Sequence, residues 1–349
     1  MPFGVDIEPT NRCNAKCYFC PRDQTPHQGL MSLEVFERAL GRTVELRERL
    51  RSLGRDDPAV SLCGLGEPLL NRLTPDFVRR VGEEGFPCTM STNAALLDER
   101  RGHELLDAGL SNICINVGER DGAYEEIYKL PYERTRDNIL LFRDLAPREC
   151  HLIIVLVDHR QDRAHIEAMR RYWSEQGLSA FMEYEVMNRG GALFVDHMQY
   201  ETYPQLAEAR ELLSARGGEA LCTVPFFALF VGYDGQYYLC CSDWKKEVPL
   251  GSVFDVSFID VMADKLTHVR TRDRVCATCN FDPLNQLTEA LRARDAGDGD
   301  DSEVAQLLDR IDQRRTFAFE EISALTGEPV PHPAPSGAAA RRSIPLTAV

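Results

Sequence analysis

From residue 4 to about residue 190, short apolar runs alternate with longer stretches whose apolar residues recur every three or four positions. The short runs read as strands over 4–10, 59–64, 87–93, 111–118, 150–159 and 180–187. The periodic stretches read as helices over 31–50, 73–84, 97–108, 132–145 and 163–176. Ser32 stands where an N-cap belongs, and Glu34 places a negative charge in the first turn, where the helix dipole favours it. Strands alternating with helices of this length predict βαβ units, a parallel sheet and an α/β fold. If such a sheet curves into a barrel, its site lies at the C-terminal ends of the strands.

The pattern changes after residue 190. A connector over 191–221 contains one helix, 204–215, and a Gly217-Gly218 break. In FFALFVGYDGQYYLCC, Asp234-Gly235 separates two aromatic, β-rich runs, a strong hairpin signal. Residues 286–326 read as helices interrupted by an acidic Gly/Asp loop over 295–303. The end, 327–349, carries five prolines among Ala, Ser and Gly, a composition that predicts disorder.

Composition narrows the function classes. With 40 Lys and Arg against 55 Asp and Glu, the net charge is −15. An acidic chain is a poor match for nucleic acid or an anionic membrane, so neither is an expected partner. No apolar run approaches the roughly 20 residues that span a bilayer, and the N-terminus shows no signal peptide. The expected location is cytoplasmic, where the twelve cysteines point to metal chemistry rather than disulfides. Cys63, Cys88, Cys114 and Cys150 lie singly in strand-like runs and read as small buried hydrophobes. The other eight fall into an early and a late group.

The early group is Cys13, Cys17 and Cys20 in IEPTNRCNAKCYFCPRD, spaced Cys-x3-Cys-x2-Cys directly after the first strand. Three thiolates on one loop can hold three irons of a [4Fe–4S] cube and leave the fourth open, unlike electron carriers that use four cysteines per cube. A zinc knuckle is the alternative, with His27 as a poorly placed fourth ligand. The spacing resembles the hallmark of the radical S-adenosylmethionine (SAM) superfamily. The resemblance implies that SAM chelates the open iron and is cleaved to methionine and a 5′-deoxyadenosyl radical. It also implies that the six βα units form a partial (β/α)6 TIM-like barrel over 1–190.

Further motifs carry the resemblance. Gly64-Leu65-Gly66-Glu67-Pro68 follows the second strand and resembles the family's Gly-Gly-Glu-Pro segment, with Leu65 displacing one glycine. By that match Gly66 and Glu67 contact the amino group of SAM, which needs acceptors. Ser91-Thr92-Asn93 resembles the family's Thr-Asn-Gly, with Ala94 in the glycine position. Asn93 and Asn116 become candidate ribose or carboxylate partners, with turn capping as the plainer role. Phe19 matches the aromatic position before the last cysteine, whose main chain approaches the adenine.

The late group is Cys222, Cys240, Cys276 and Cys279, with Cys241 adjacent to Cys240. Four cysteines around a hairpin can hold zinc or an iron–sulfur cluster. Cys-x12-Gly-x4-Cys, from Cys222 through Gly235 to Cys240, resembles the opening of a SPASM domain. The later SPASM cysteines are missing, as in the truncated Twitch version found in the radical SAM dehydrogenase of the butirosin pathway. The resemblance implies a small hairpin-and-helix domain over 222–285 with one auxiliary [4Fe–4S] cluster, hence two clusters plus SAM as cofactors. Cys240 is the ligand preferred on spacing. Cys241 is a buried bystander or a hydrogen-atom donor.

The expected function is therefore hydrogen abstraction from a small hydroxylated metabolite, of aminocyclitol or sugar type. Two-electron oxidation would use the auxiliary cluster as electron acceptor. Epimerisation, sulfur insertion and peptide modification are alternatives; a non-catalytic redox protein is a distant one. Only twelve residues precede Cys13, so no peptide-binding domain is expected there. The expected electron donor is a flavodoxin or ferredoxin. Candidate substrate residues at strand ends are Asp158, His159, Arg160, Glu183, Glu185 and Arg189. Glu183 and Glu185 share one face of the sixth strand. Facing the interior they could bind an amino sugar or deprotonate the carbinol; facing outward they form salt bridges.

Overall fold

The computed structural model describes residues 3–193, 199–217 and 221–327. The composition-based expectation for 327–349 falls, past Gly327, outside those residues. Six parallel strands lie in chain order: β1 (Gly4–Ile7), β2 (Ala59–Leu62), β3 (Cys88–Thr92), β4 (Asn112–Asn116), β5 (His151–Asp158) and β6 (Ala180–Glu185). The helices between them are α1 (Leu33–Ser52), α2 (Thr74–Glu83), α3 (Glu99–Asp107), α4 (Asp121–Tyr128), α5 (Tyr132–Leu145) and α6 (Arg163–Glu175). The Ser32 side chain accepts a hydrogen bond from the Val35 N–H at 3.2 Å, capping α1 as expected.

The expected α/β fold is present, with one addition in the sheet. Three further strands, β7 (Ala228–Val231), β8 (Gln236–Tyr238) and β9 (Pro249–Ser252), continue the barrel's sheet instead of forming their own. The order is β6-β5-β4-β3-β2-β1-β7-β8-β9. β7 runs parallel to β1, pairing Gly4 with Ala228 and Ile7 with Val231. β7 and β8 form the antiparallel hairpin, with Gly235 at φ +76° in its turn. Because β7 occupies the outer edge of β1, β6 cannot pair there, and the six parallel strands remain a partial barrel.

The helices after residue 199 are α7 (Gln205–Ala215), α8 (Val224–Phe227), α9 (Phe258–Thr271), α10 (Arg274–Thr278), α11 (Pro283–Ala296) and α12 (Asp301–Thr326). One large apolar core spans the sheet and α1–α6 and reaches α9. A separate core joins α7, α11 and α12 through Ala209, Leu287, Leu291 and Leu308. Helix α4 had no counterpart in the sequence reading. It is one eight-residue element ended by Lys129 in the left-handed region (φ +57°), and it buries Tyr124 and Tyr128.

Alternation decides what faces the barrel interior. On β1, Val5 and Ile7 are buried against the core, which turns Asp6 inward. On β6, Met182 and Tyr184 line the interior cavity. Glu183 therefore points outward, where Arg163 and Arg170 of α6 pair with its carboxylate. Glu183 thus takes the salt-bridged outcome rather than the substrate-facing one, while Glu185, at the end of the strand, reaches the rim of a cavity.

Candidate functional site

The Cys13–Cys20 loop leaves the C-terminal end of β1 and is fastened from several sides. Thr10 Oγ1 donates to the Gly29 carbonyl, Asn11 Nδ2 donates at 2.6 Å to the His27 carbonyl, and the Lys16 N–H donates at 2.9 Å to the Tyr128 carbonyl of α4. His27 thus contributes backbone to the loop's frame. Phe19 stacks on the His159 ring, with centroids 5.1 Å apart. His159 bonds Tyr18 Oη through Nδ1 at 2.6 Å and the buried Glu119 carboxylate through Nε2 at 2.8 Å. Arg160 also reaches Glu119, at 2.8 Å, and Asp158 accepts from the Asp162 N–H at 3.0 Å. His159 therefore supports the cysteine loop, Arg160 reaches it through Glu119, and Asp158 braces its own turn; none of the three lines either barrel cavity. Glu119 was invisible in the sequence, being one acid among many.

The segment Gly64–Pro68 presses against this loop. A Cβ on Gly66 would lie 2.4 Å from the Arg12 carbonyl oxygen and 2.5 Å from that of Thr10. The neighbouring Glu67 N–H donates to the Arg12 carbonyl at 2.8 Å. The Glu67 carboxylate accepts from Thr92 Oγ1 at 2.7 Å, the Asn93 N–H at 2.8 Å and the Leu69 N–H at 3.1 Å. Burial raises its pKa, and these donors counteract the shift. Three of about four acceptor positions are thus used inside the protein. Asn93 donates to Asn14 Oδ1 at 2.9 Å, and its Nδ2 stands 3.9 Å from Cys13 Sγ. Asn116 Nδ2 donates to Ser91 Oγ at 3.1 Å. Ala94 lies in the left-handed region at φ +59°, the conformation that a glycine there would adopt without strain.

Two adjoining cavities fill the barrel's C-terminal mouth and interior. The upper one, of about 250 Å³, is lined by Cys13, Cys17, Cys20, Phe19, Gly66, Glu67, Asn93, Asn116, Glu185 and Arg189. The lower one, of about 370 Å³, has Asp6, Cys63, Cys114, Tyr184 and Cys241 in its wall. Gly64, Leu65, Ser91, Asn116, Tyr184, Arg189 and Trp244 line both. Glu185, although exposed, stands at the upper rim. Arg189 lies in the left-handed region at φ +53°, with its guanidinium 4.7 Å over the Trp244 ring. Its Nε is buried without a hydrogen-bond partner.

No disulfide joins any of the twelve cysteines. Burial pushes Cys13 to about 11 and Cys17 to about 12, and raises Cys20 as well. Each of these thiols feels the charge of its neighbours, and all three line the upper cavity. Cys222 likewise feels the charge of Cys240 and Cys279, and Cys240 that of Cys276. Buried thiols of this kind ionise against a bound cation, and iron displaces the proton. The soft donor sets, three on a loop and four around a hairpin, fit iron–sulfur clusters. Cys240 and Cys241 both lie within electrostatic reach of the late set, and Cys241 in addition lines the barrel cavity.

A cysteine loop after the first strand of a partial barrel, with a second cysteine set on the hairpin that extends the sheet, is an arrangement able to hold two iron–sulfur clusters. Residues 7–172 match the model of the radical SAM superfamily, and residues 222–280 match an iron–sulfur cluster-binding domain of SPASM type. The protein binds a [4Fe–4S] cluster and SAM, and its C-terminal domain carries an auxiliary iron–sulfur cluster. A tungsten-containing aldehyde ferredoxin oxidoreductase cofactor-modifying protein of Pyrococcus furiosus is 29% identical over 112 residues, covering 32% of this chain and 29% of that protein. GTP 3′,8-cyclase of Rhodopirellula baltica is 29% identical over 126 residues, covering 34% and 32% respectively. The chain thus matches less than a third of the length of either curated relative. Among solved structures, BtrN in complex with AdoMet and 2-DOIA superposes with TM-score 0.50 at 18% identity, over 80% of this chain and 93% of that one. Streptococcus suis SuiB bound to its precursor peptide SuiA gives 0.56 at 14% identity, over 84% and 73%. AnSMEcpe with bound AdoMet gives 0.55 at 15% identity, over 91% and 99%. These likenesses share the fold. Among the described residues no helix is long and apolar enough to cross a membrane.

Proposed function

We propose that the protein oxidises a hydroxyl-bearing small molecule by two electrons. The observation that carries this reading is a pair of adjoining cavities that share seven wall residues, the upper lined by Cys13, Cys17 and Cys20 and the lower by Cys241, with Trp244 in the wall of both. Cys13, Cys17 and Cys20 would hold the first cluster; Cys222, Cys240, Cys276 and Cys279 would hold the auxiliary one. When bound, these groups supply the electron that cleaves SAM and an acceptor for the electron leaving the substrate radical. Phe19, Gly66, Glu67, Asn93 and Asn116 form the SAM side of the cavity. Glu67 keeps one acceptor position for the ammonium of SAM while bracing the end of β3. Arg189 places a cation between the two cysteine sets. The lower cavity, at about 370 Å³, sits near the small end of ligand pockets, which run from roughly 300 to 1,000 Å³. That size supports a small substrate over a peptide. Asp6 offers an acceptor for the proton lost with the electron. A flavodoxin or ferredoxin is the proposed electron donor.

The test is anaerobic incubation of the reconstituted, reduced protein with SAM and candidate polyols, read by mass spectrometry. A product lighter by two hydrogens, with one 5′-deoxyadenosine per turnover, is expected. Absence of 5′-deoxyadenosine from fully reconstituted protein would sink the radical reading. One observation favours a second outcome: Cys241 lines the cavity. If its thiol returns a hydrogen atom, the product keeps its mass and takes up solvent deuterium, and Cys241→Ala abolishes the uptake.

A further inference from the structure

The floor of the lower cavity presents a carboxylate with little of its hydrogen-bonding capacity used. Asp6 receives a hydrogen bond from the Cys63 thiol, a weak donor, and among the described residues no N–H or hydroxyl donates to its oxygens. A carboxylate accepts at about four positions, and leaving them unmet in a protein interior is costly. Its wider surroundings are Lys265 and Cys241. Lys265 is fully buried, but its ammonium is held at 2.7 Å by the Pro225 and Ala228 carbonyls, and no carboxylate pairs with it within 4 Å among the described residues. The other polar groups around the floor also keep capacity. Ser61 makes no recorded side-chain hydrogen bond. Asn116 spends its amide N–H on Ser91, which leaves its carbonyl oxygen. Tyr184 Oη meets only the Met182 sulfur, at 3.9 Å. Asp6 is the only acidic side chain among the residues lining this cavity.

We infer that Asp6 is the specificity-determining acceptor of the substrate pocket. It selects a hydroxyl-rich ring compound whose deepest group is an O–H or N–H donor, and it rejects one whose deepest group is a carboxylate. Ser61, Asn116 and Tyr184 then meet the remaining hydroxyls, whose mixed donor and acceptor character suits theirs. A carboxylate set against Asp6 would place two like charges at close range in a low-dielectric site, a repulsion that outweighs any hydrogen bond gained. This rests on the reading that the lower cavity receives the substrate.

Glucosamine and glucuronate each differ from glucose at one carbon, an amine at C2 in the first and a carboxylate at C6 in the second. Equilibrium dialysis of the reconstituted, SAM-loaded protein against each radiolabelled sugar should give binding of glucose and glucosamine, with glucuronate weaker by about tenfold or more. Asp6→Asn, which keeps size and hydrogen bonding but not charge, should bring glucuronate level with glucose; iron content and the unfolding midpoint confirm that the variant folds. Equal binding of all three sugars to the wild type overturns the inference, as does no binding of any, or an order that survives in Asp6→Asn. Release of 5′-deoxyadenosine on reduction is measured on the same samples. Its loss with the sugar discrimination intact indicts the radical reading alone, and its presence with no discrimination indicts the role of Asp6 alone.

Discussion

Gly66 shows what one missing methyl group does. Its Cα packs against the Thr10 and Arg12 carbonyls, so Gly66→Ala must push the cysteine loop away from the end of β2. The expected result is loss of the first cluster with the auxiliary one kept, seen as roughly half the wild-type iron, since each cube carries about four. Asp6 gives a pH signature. Burial pushes its pKa to about 6, with Cys63 and the charge of Lys265 opposing the shift. Below that pH the group is neutral and cannot repel a carboxylate. The discrimination against glucuronate should therefore appear as pH rises through about 6 and be absent from Asp6→Asn. Burial works against the ionised form, so Asp6 costs fold stability as it ionises. Asp6→Asn should therefore be no less stable than wild type at pH 8, as a denaturation midpoint would show. The signal for Asp6 was present in the sequence: an acid between Val5 and Ile7, on the opposite side of the alternation. It went unread because the strand was judged by its apolar members.

The strands and long helices were legible because their periods are set by local geometry. Each of the six parallel strands appears within the span expected for it, as does helix α5 (Tyr132–Leu145). Helix α4 escaped because eight residues containing Gly122 give too few turns for a period to register. It matters for the site, since its Tyr128 carbonyl holds Lys16 and its ring packs 5.8 Å from Phe19. The face of β6 also escaped, because alternation says which residues share a side but not which side is inner. Arg163 and Arg170, seven residues apart on α6, were the missing clue. The link between loop and hairpin likewise needs the tertiary structure. Lys246 pairs with Glu8 at 2.7 Å with both side chains buried, and Glu8 also takes the Leu65 N–H at 2.9 Å. Lys246→Ala strands a buried carboxylate, so a loss of about 3–5 kcal/mol is expected in chemical denaturation. Lys246→Ala with Glu8→Gln should recover part of it.

The molecule as a whole carries its two cysteine sets on one continuous sheet, the first after β1 and the second around strands that extend from the outer edge of β1. Seven candidate ligands, three plus four, predict about eight iron and eight sulfide per chain after anaerobic reconstitution. Replacing Cys13, Cys17 and Cys20 with Ala should leave about four of each, with zinc absent from what remains. The substrate pocket was the least legible part of the site. Its wall draws one or two residues from each strand from β1 to β7, and no local stretch of sequence records that they meet. The placement of β1 between β2 and β7 has a consequence for dissection of the chain. An excised barrel ending before residue 221 would present Gly4–Ile7 as a bare edge, with the backbone groups that had bonded Ala228–Val231 left open. Bare edges recruit strands from other molecules. Such a fragment should self-associate as it is concentrated, which light scattering would register. The two halves of this enzyme therefore could not be exchanged like beads on a string: a lineage that replaced its C-terminal module would have to supply, in the same event, a strand to take the place of β7.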